Sequence, residues 1–137
     1  MLSNLNSIIL EGNLTRDPTL KPMANGHTLC CFSVASNRYY KQDEQTEQET
    51  NFFDVDTWSR LAQTCGEVLK KGRGVRVVGR LKQDRWVDAN GKNQSKVKIV
   101  AEHVEFKPVP KREGQPTAVD EPGESHAEEE REAVQAF

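Results

Sequence analysis

Asn51-Phe52-Phe53-Asp54-Val55-Asp56-Thr57-Trp58 alternates, and the residues that follow it without a break, Ser59-Arg60-Leu61-Ala62-Gln63-Thr64-Cys65-Gly66-Glu67-Val68-Leu69, do not. In the first half Phe53, Val55 and Thr57 share one parity, and Phe52, Asp54, Asp56 and Trp58 share the other. That is the two-residue period of a strand. In the second half Leu61, Ala62, Cys65, Val68 and Leu69 line one face at helical spacing. Ser59 is placed to cap this helix, and Gly72 to end it as the C′ residue. A strand running directly into one short amphipathic helix is the pivot on which the rest of the chain is arranged.

Upstream, Ile8, Leu10 and Leu14 recur at even spacing between Ser7 and Leu14, and Gly12 interrupts them where a barrel needs a bulge or a sharp bend. Asp17-Pro18 marks a turn. Asn25-Gly26 is a two-residue hairpin signal, because both central positions of such a turn need positive φ. Thr28 to Ser36 then alternates around Phe32 and Val34. Lys41 to Thr50 contains no apolar residue and reads as a mobile loop. Downstream, Val75, Val77, Gly79 and Leu81 form the inner parity of a strand, with Arg76, Val78, Arg80, Lys82, Asp84 and Trp86 outside. Asp88-Ala89-Asn90-Gly91 turns the chain, and Val97, Ile99 and Ala101 face inward on a last strand. Three strands, a helix and two strands is the order of an all-β OB-fold, a five-stranded Greek-key barrel with its helix between strands 3 and 4. A generic α+β sheet satisfies the same pattern. No internal repeat is present.

The chain has 137 residues and a net charge of −2, which hides an asymmetry. Residues 1–112 carry 18 Lys and Arg against 13 Asp and Glu; residues 113–137 carry one Arg against eight acids. A basic body is thus joined to an acidic tail, and basic bodies attract polyanions. The length suits one domain, placed at residues 1–107, and excludes a large multidomain enzyme. Residues 108–137 shift to Pro, Gly, Glu and Ala and read as a disordered tail. No stretch has the run of about 18–20 apolar residues that a membrane helix needs, and the first residues lack the features of a secretory signal. Three cysteines at no metal-binding spacing indicate reduced thiols in a cytoplasmic setting.

Phe52, Trp58 and Trp86 share their parities with charged residues. Burying these rings in the core would bury those charges as well, at several kcal/mol per ion, so they are expected on an exposed surface. Exposed aromatics among Lys and Arg suit single-stranded nucleic acid, because bases stack on rings while cations track phosphates. Packing of the rings against a second subunit is the structural alternative. Tyr39 and Tyr40 point to opposite faces, so only one joins this surface. Cys30, Cys31 and Cys65 read as small core residues. His27, His103 and His126 form no ligand pairing, so no metal or other cofactor is expected. No nucleophile elbow or phosphate-binding glycine loop is present, and no catalytic residue is assigned. In the tail, Glu128, Glu129, Glu130 and Glu132 precede Phe137, an acidic run with an apolar end that suits docking into a basic, apolar-floored pocket; an inert solubilising tail is the alternative reading.

These features together resemble the bacterial single-stranded DNA-binding protein (SSB) family. Asn6-Ser7-Ile8-Ile9-Leu10-Glu11-Gly12-Asn13-Leu14-Thr15-Arg16-Asp17-Pro18 is similar to that family's opening motif, N-x-[IV]-x-L-x-G-N-L-x-x-D-P. Asn25-Gly26, Phe32-Ser33-Val34-Ala35, Thr50 to Val55, Trp58 to Ala62, Leu69 to Gly72, Val77 to Leu81, Trp86 and Asn90-Gly91 follow in family order. The likeness covers roughly residues 4–107.

The resemblance implies an OB-fold, assembled as a homotetramer, that wraps single-stranded DNA without sequence preference in replication, recombination and repair. It implies stacking at Tyr40, Phe52, Trp58 and Trp86 and phosphate contacts from Lys21, Lys41, Arg60, Lys71, Lys82 and Arg85. It also implies that the tail binds replication and repair proteins. Three positions depart from the family pattern. Tyr40 and Phe52 stand where Trp is frequent, Asp54 stands where a basic residue is common, and the tail tip lacks an Asp-rich, Pro-Phe ending. The competing reading is an OB-fold adaptor of the primosome type that mainly binds proteins; a thiol enzyme is a distant third.

Overall fold

A computed structural model describes residues 2–109. The tail residues Glu128, Glu129, Glu130, Glu132 and Phe137 lie outside the described residues. The elements are β1 (Ile8–Leu14), β2 (Thr19–Pro22), β3 (Thr28–Gln42), β4 (Gln45–Trp58), α1 (Ser59–Val68), β5 (Gly74–Val87) and β6 (Asn93–Phe106). Strands run β1-β5-β6-β4-β3, and β3 returns to β1 through Asn13 opposite Ala35 and Leu14 opposite Val34. This closes a five-stranded barrel of OB type, with β2 paired to β3 outside the ring. The junction of β4 with β6 is parallel, at Val55 opposite Ile99 and Asp56 opposite Val100. All other pairings are antiparallel.

The interior takes one residue in two from each barrel strand. Phe32, Val34, Val55, Val75, Val77, Ile99 and Val104 fill it, and α1 closes one end with Leu61, Ala62 and Cys65. Burying Thr57 needs a partner for its hydroxyl, which donates to the Cys30 carbonyl at 3.0 Å. Two glycines let the barrel walls approach. A Cβ at Gly12 would stand 2.3 Å from the Ala35 carbonyl oxygen where β1 meets β3, and one at Gly79 would stand 2.2 Å from that of Val100. Gly79 also adjoins a register shift between β5 and β6, so the bulge and the close approach fall together.

Several local expectations are corrected. Lys41 to Thr50 is not a loop: β3 and β4 stay paired as far as Gln42 opposite Gln45, joined by Asp43-Glu44. Both turn residues have positive φ, 51° and 64°, the geometry of a primed two-residue hairpin. The Asn25-Gly26 turn is a hairpin of three residues instead. Met23 donates to the His27 carbonyl at 2.8 Å, and only Gly26 has positive φ. Ser59 does not cap α1. Trp58 is the extended N-cap residue without a side-chain cap bond, while Ser59 has φ 59° and its hydroxyl meets His27 Nδ1 at 3.1 Å. Gly72 is not the C′ residue either, since the helix ends at Val68. Gly72 supplies the positive φ of a separate turn in which Arg73 donates to the Lys70 carbonyl. Leu81 and Val97 keep the inner parity yet are exposed, because β5 and β6 run past the barrel as a two-stranded arm with no core beneath them among the described residues.

Candidate nucleic-acid interface

Residues opposite one another across a ladder point the same way. Phe52, Asp54, Asp56 and Trp58 on β4 face with Ala35, Ser33, Cys31 and Leu29 on β3. Leu29 is in turn opposite Lys21 on β2. On the other side of β4, Asp56 adjoins Val100 of β6, which sets Lys96 and Lys98 on this same outer face. Across β6, Lys98 is opposite Lys82, Lys96 opposite Asp84, and Gln94 opposite Trp86. One continuous outer face therefore crosses β2, β3, β4, β6 and β5. Phe52, Trp58 and Trp86 are all exposed on it. Leu29 separates Lys21 from Trp58 along one row of the face, and Lys82 lies two positions before the Asp84 carboxylate that it meets at 3.7 Å.

The middle of this face is an ion-pair ladder. Lys98 Nζ lies 2.5 Å from Asp56 and 2.8 Å from Asp84, so one lysine ties β4, β6 and β5 together, and Lys96 pairs with Asp54 beside it. Burial works against the Lys98 ammonium, but the hydrogen bonds it donates to Asp56 and Asp84 outweigh it and hold its pKa above the ordinary lysine value. The Lys98 bond in turn lowers the Asp84 carboxyl. Cys31 shares the depression with Arg16 and this ladder; burial and the neighbouring Asp56 carboxylate push its thiol up to about 11.

The remaining sequence-predicted residues are distributed differently. Lys41, opposite Thr46, has the parity of Phe52 further out on the β3–β4 arm. Tyr40 is opposite Glu47 and has the parity of Val34 and Phe53, so it stands on the other face of that arm, with the Arg38 guanidinium 5.3 Å over its ring. Tyr39 has the parity of Phe52. Arg85 is on the face of the β5–β6 arm opposite Trp86 and donates to Gln83 at 2.9 Å. Arg60 is exposed in the first turn of α1. Lys71 lies in the turn after the helix, where its backbone N–H donates to Asp17 at 2.8 Å. Arg76, on the outer parity of β5, is committed elsewhere, bridging Glu11 and Glu105 at 3.0 and 3.2 Å. The residues missed from sequence are Arg16, Lys96 and Lys98. The two lysines were recoverable, because an inward Ile99 turns the opposite parity, Lys98 and Lys96, outward. Arg16 follows the end of β1, where no periodicity speaks. Among the described residues no group of three His, Cys, Asp or Glu is placed to hold a metal ion.

The model of the single-strand binding protein family matches residues 5–107. The chain belongs to that family. It is 41% identical over 105 residues to the single-stranded DNA-binding protein of Treponema pallidum, covering 77% of this chain and 59% of that one. Against the proteins of the same name from Wolinella succinogenes and Aquifex aeolicus, identity is 38% over 102 residues and 39% over 101. These matches cover 74% and 73% of this chain and 63% and 68% of the relatives. The chain thus spans less than two thirds of the first two relatives. Among solved structures, a Plasmodium falciparum SSB complex with ssDNA shares the fold at a TM-score of 0.71 and 22% identity, covering 78% of this chain and 98% of that chain. The single-strand binding family barrel therefore carries the aromatic and charged face described above.

Proposed function

We propose that this chain binds single-stranded DNA without sequence preference, as a binding protein with no catalytic step, in the replication, recombination and repair of a bacterial cytoplasm. The observation that carries this reading is the shared face of Phe52, Trp58 and Trp86, with Lys21 and Lys82 on it. Bases stack on exposed rings whatever their identity, and lysines follow the phosphates, so such a face has affinity without readout. Lys41 extends it along one arm, Arg60 and Lys71 supply charge at the two ends of the helix, and Tyr40 and Arg85 meet a strand that wraps to the far side of the arms. Oligo(dT) titration tests the proposal. Intrinsic fluorescence should be quenched, and Trp86→Ala should weaken binding by about 1–3 kcal/mol with folding intact, the range known for stacking platforms including those of this family. A folded variant with unchanged affinity would remove Trp86 from the site.

Self-assembly to a homotetramer is part of the same proposal. Over Ile8 to Glu11, β1 has, among the described residues, a ladder partner only in β5, and Ile9 is 69% exposed on it. An open, partly apolar edge is suited to a second copy. Sedimentation at micromolar concentration tests it, and a monomer would overturn it. The tail, with Glu128, Glu129, Glu130, Glu132 and Phe137, is proposed as the segment that engages replication and repair proteins. The adaptor reading draws on Asp54, Asp56 and Asp84, carboxylates set in the middle of the face; a protein without oligo(dT) affinity would favour it.

A further inference from the structure

We propose that Asp54 masks Lys96, so that a lysine on the DNA face neutralises no phosphate in the wild-type protein. The inference rests on the single-stranded DNA reading given above. The two lysines of the ladder are held in different ways. Lys98 is only 22% exposed and shares two carboxylates, one of them on Asp56, which is 7% exposed. It is a structural tie between three strands. Lys96 is 59% exposed and Asp54 38% exposed, and each has the other as its ion-pair partner among the described residues. Asp54 lies two positions along β4 from Phe52, and Lys96 is opposite Asp84, two positions before Trp86. The pair therefore sits between two rings on which bases would stack.

A phosphate approaching Lys96 meets a neutral pair instead of a cation. It gains the ammonium only by exposing a carboxylate beside itself, and the repulsion cancels the attraction at this range. The consequence appears in salt dependence, because the slope of log K against log salt counts the phosphates neutralised, about 0.7 per contact on a single strand. Asp54→Asn removes the mask while keeping shape and hydrogen-bonding capacity. The freed Lys96 then adds one contact.

The test is oligo(dT) titration of the full chain at several salt concentrations. Asp54→Asn should bind more tightly at low salt and steepen the slope by about 0.7, so that its advantage shrinks about 2.5-fold between 50 and 200 mM salt. Lys96→Gln in the wild-type background should weaken binding at low salt, since it leaves Asp54 bare, and added salt should narrow that deficit by screening the carboxylate. In the Asp54→Asn background the same change should return the slope to the wild-type value. An unchanged slope in Asp54→Asn overturns the masking, as does a slope that stays steeper than wild type when Lys96→Gln is added to Asp54→Asn, which would mean that Lys96 is not the cation released. Absence of oligo(dT) binding by the wild-type protein would instead overturn the function on which the inference rests.

Discussion

Tyr40 and Phe52 stand on opposite faces of one uninterrupted hairpin. The register from Leu29 opposite Trp58 out to Gln42 opposite Gln45 contains no bulge, so the parity set in the barrel persists to the tip. A strand that leaves Phe52 along its own face meets Tyr39, while Tyr40 already has Arg38 on one side of its ring. Tyr39→Ala should therefore weaken oligo(dT) binding by about one stacked base, 1–3 kcal/mol, and Tyr40→Ala by less. The reverse order in a fluorescence titration would show that the DNA crosses to the Arg38 side of the arm.

Gly79 should be among the least replaceable residues of the barrel. An added Cβ meets the Val100 carbonyl oxygen at 2.2 Å and the Ala101 Cα at 3.0 Å, both backbone atoms of the adjoining strand. Gly79→Ala is expected to lower stability by about 1–3 kcal/mol or more, as overpacking does. Gly91→Ala serves as the contrast. Nothing lies within 4 Å there and only its φ of 78° is unfavourable, so the cost should be nearer about 1–2 kcal/mol. Urea denaturation of both variants gives the comparison.

The ladder has a pH signature. The Lys98 hydrogen bond depresses the Asp84 carboxyl in the folded chain. A depressed carboxylate stabilises the fold above its unfolded value of about 3.9, and that contribution is lost as pH falls through the lower folded value. Asp84→Asn should therefore lower the urea midpoint at pH 7, and its deficit should narrow as pH falls below the unfolded value of about 3.9. An identical deficit at both ends would mean that the charge of Asp84 is not what matters.

Thiol chemistry distinguishes the cysteines by their surroundings. With its thiol pushed up to about 11, Cys31 has little thiolate at neutral pH. Alkylation of the native protein should be slow at pH 7 and accelerate steadily as pH is raised towards that value. Cys30 and Cys65 are buried and their thiols are pushed up as well, so they should label only on unfolding. Rapid stoichiometric labelling of the native chain at pH 7, read by mass spectrometry, would contradict this.

The barrel was legible because its strands have one wet face and one dry face. Phe53, Val55 and Thr57 contrast with Asp54 and Asp56, and that contrast sets the register of β4 and the exposure of Phe52 and Trp58. The arms were illegible for the same reason. Lys41 to Thr50 is polar on both faces and carries no period, although it is strand over most of its length. It is held by backbone pairing and by polar cross-strand contacts such as Thr50 with Asn37 at 2.8 Å and Arg38 with Glu49 at 3.7 Å. The turn was hidden too, since Asp43-Glu44 adopts positive φ without the glycine that usually marks it. Ser59 looked like a cap by residue type, but His27, distant in sequence, takes its hydroxyl. Lys96 and Lys98 were within reach of the parity argument; their pairing with Asp54 and Asp56 was not, because it depends on which strand lies beside β6.

The arms beyond the barrel also set rules for how this surface can change length. No core packs against their tips, so residues can be added or removed there without disturbing the barrel. Alternation restricts the increments. Two residues added to each strand move a tip outward by about 7 Å and leave every ring facing as before. One residue added to each strand exchanges the two sides from that point on, putting Tyr40 where Tyr39 was. Lengthening an arm in steps of two would extend the track available to a nucleic-acid strand, and a single step would turn it over.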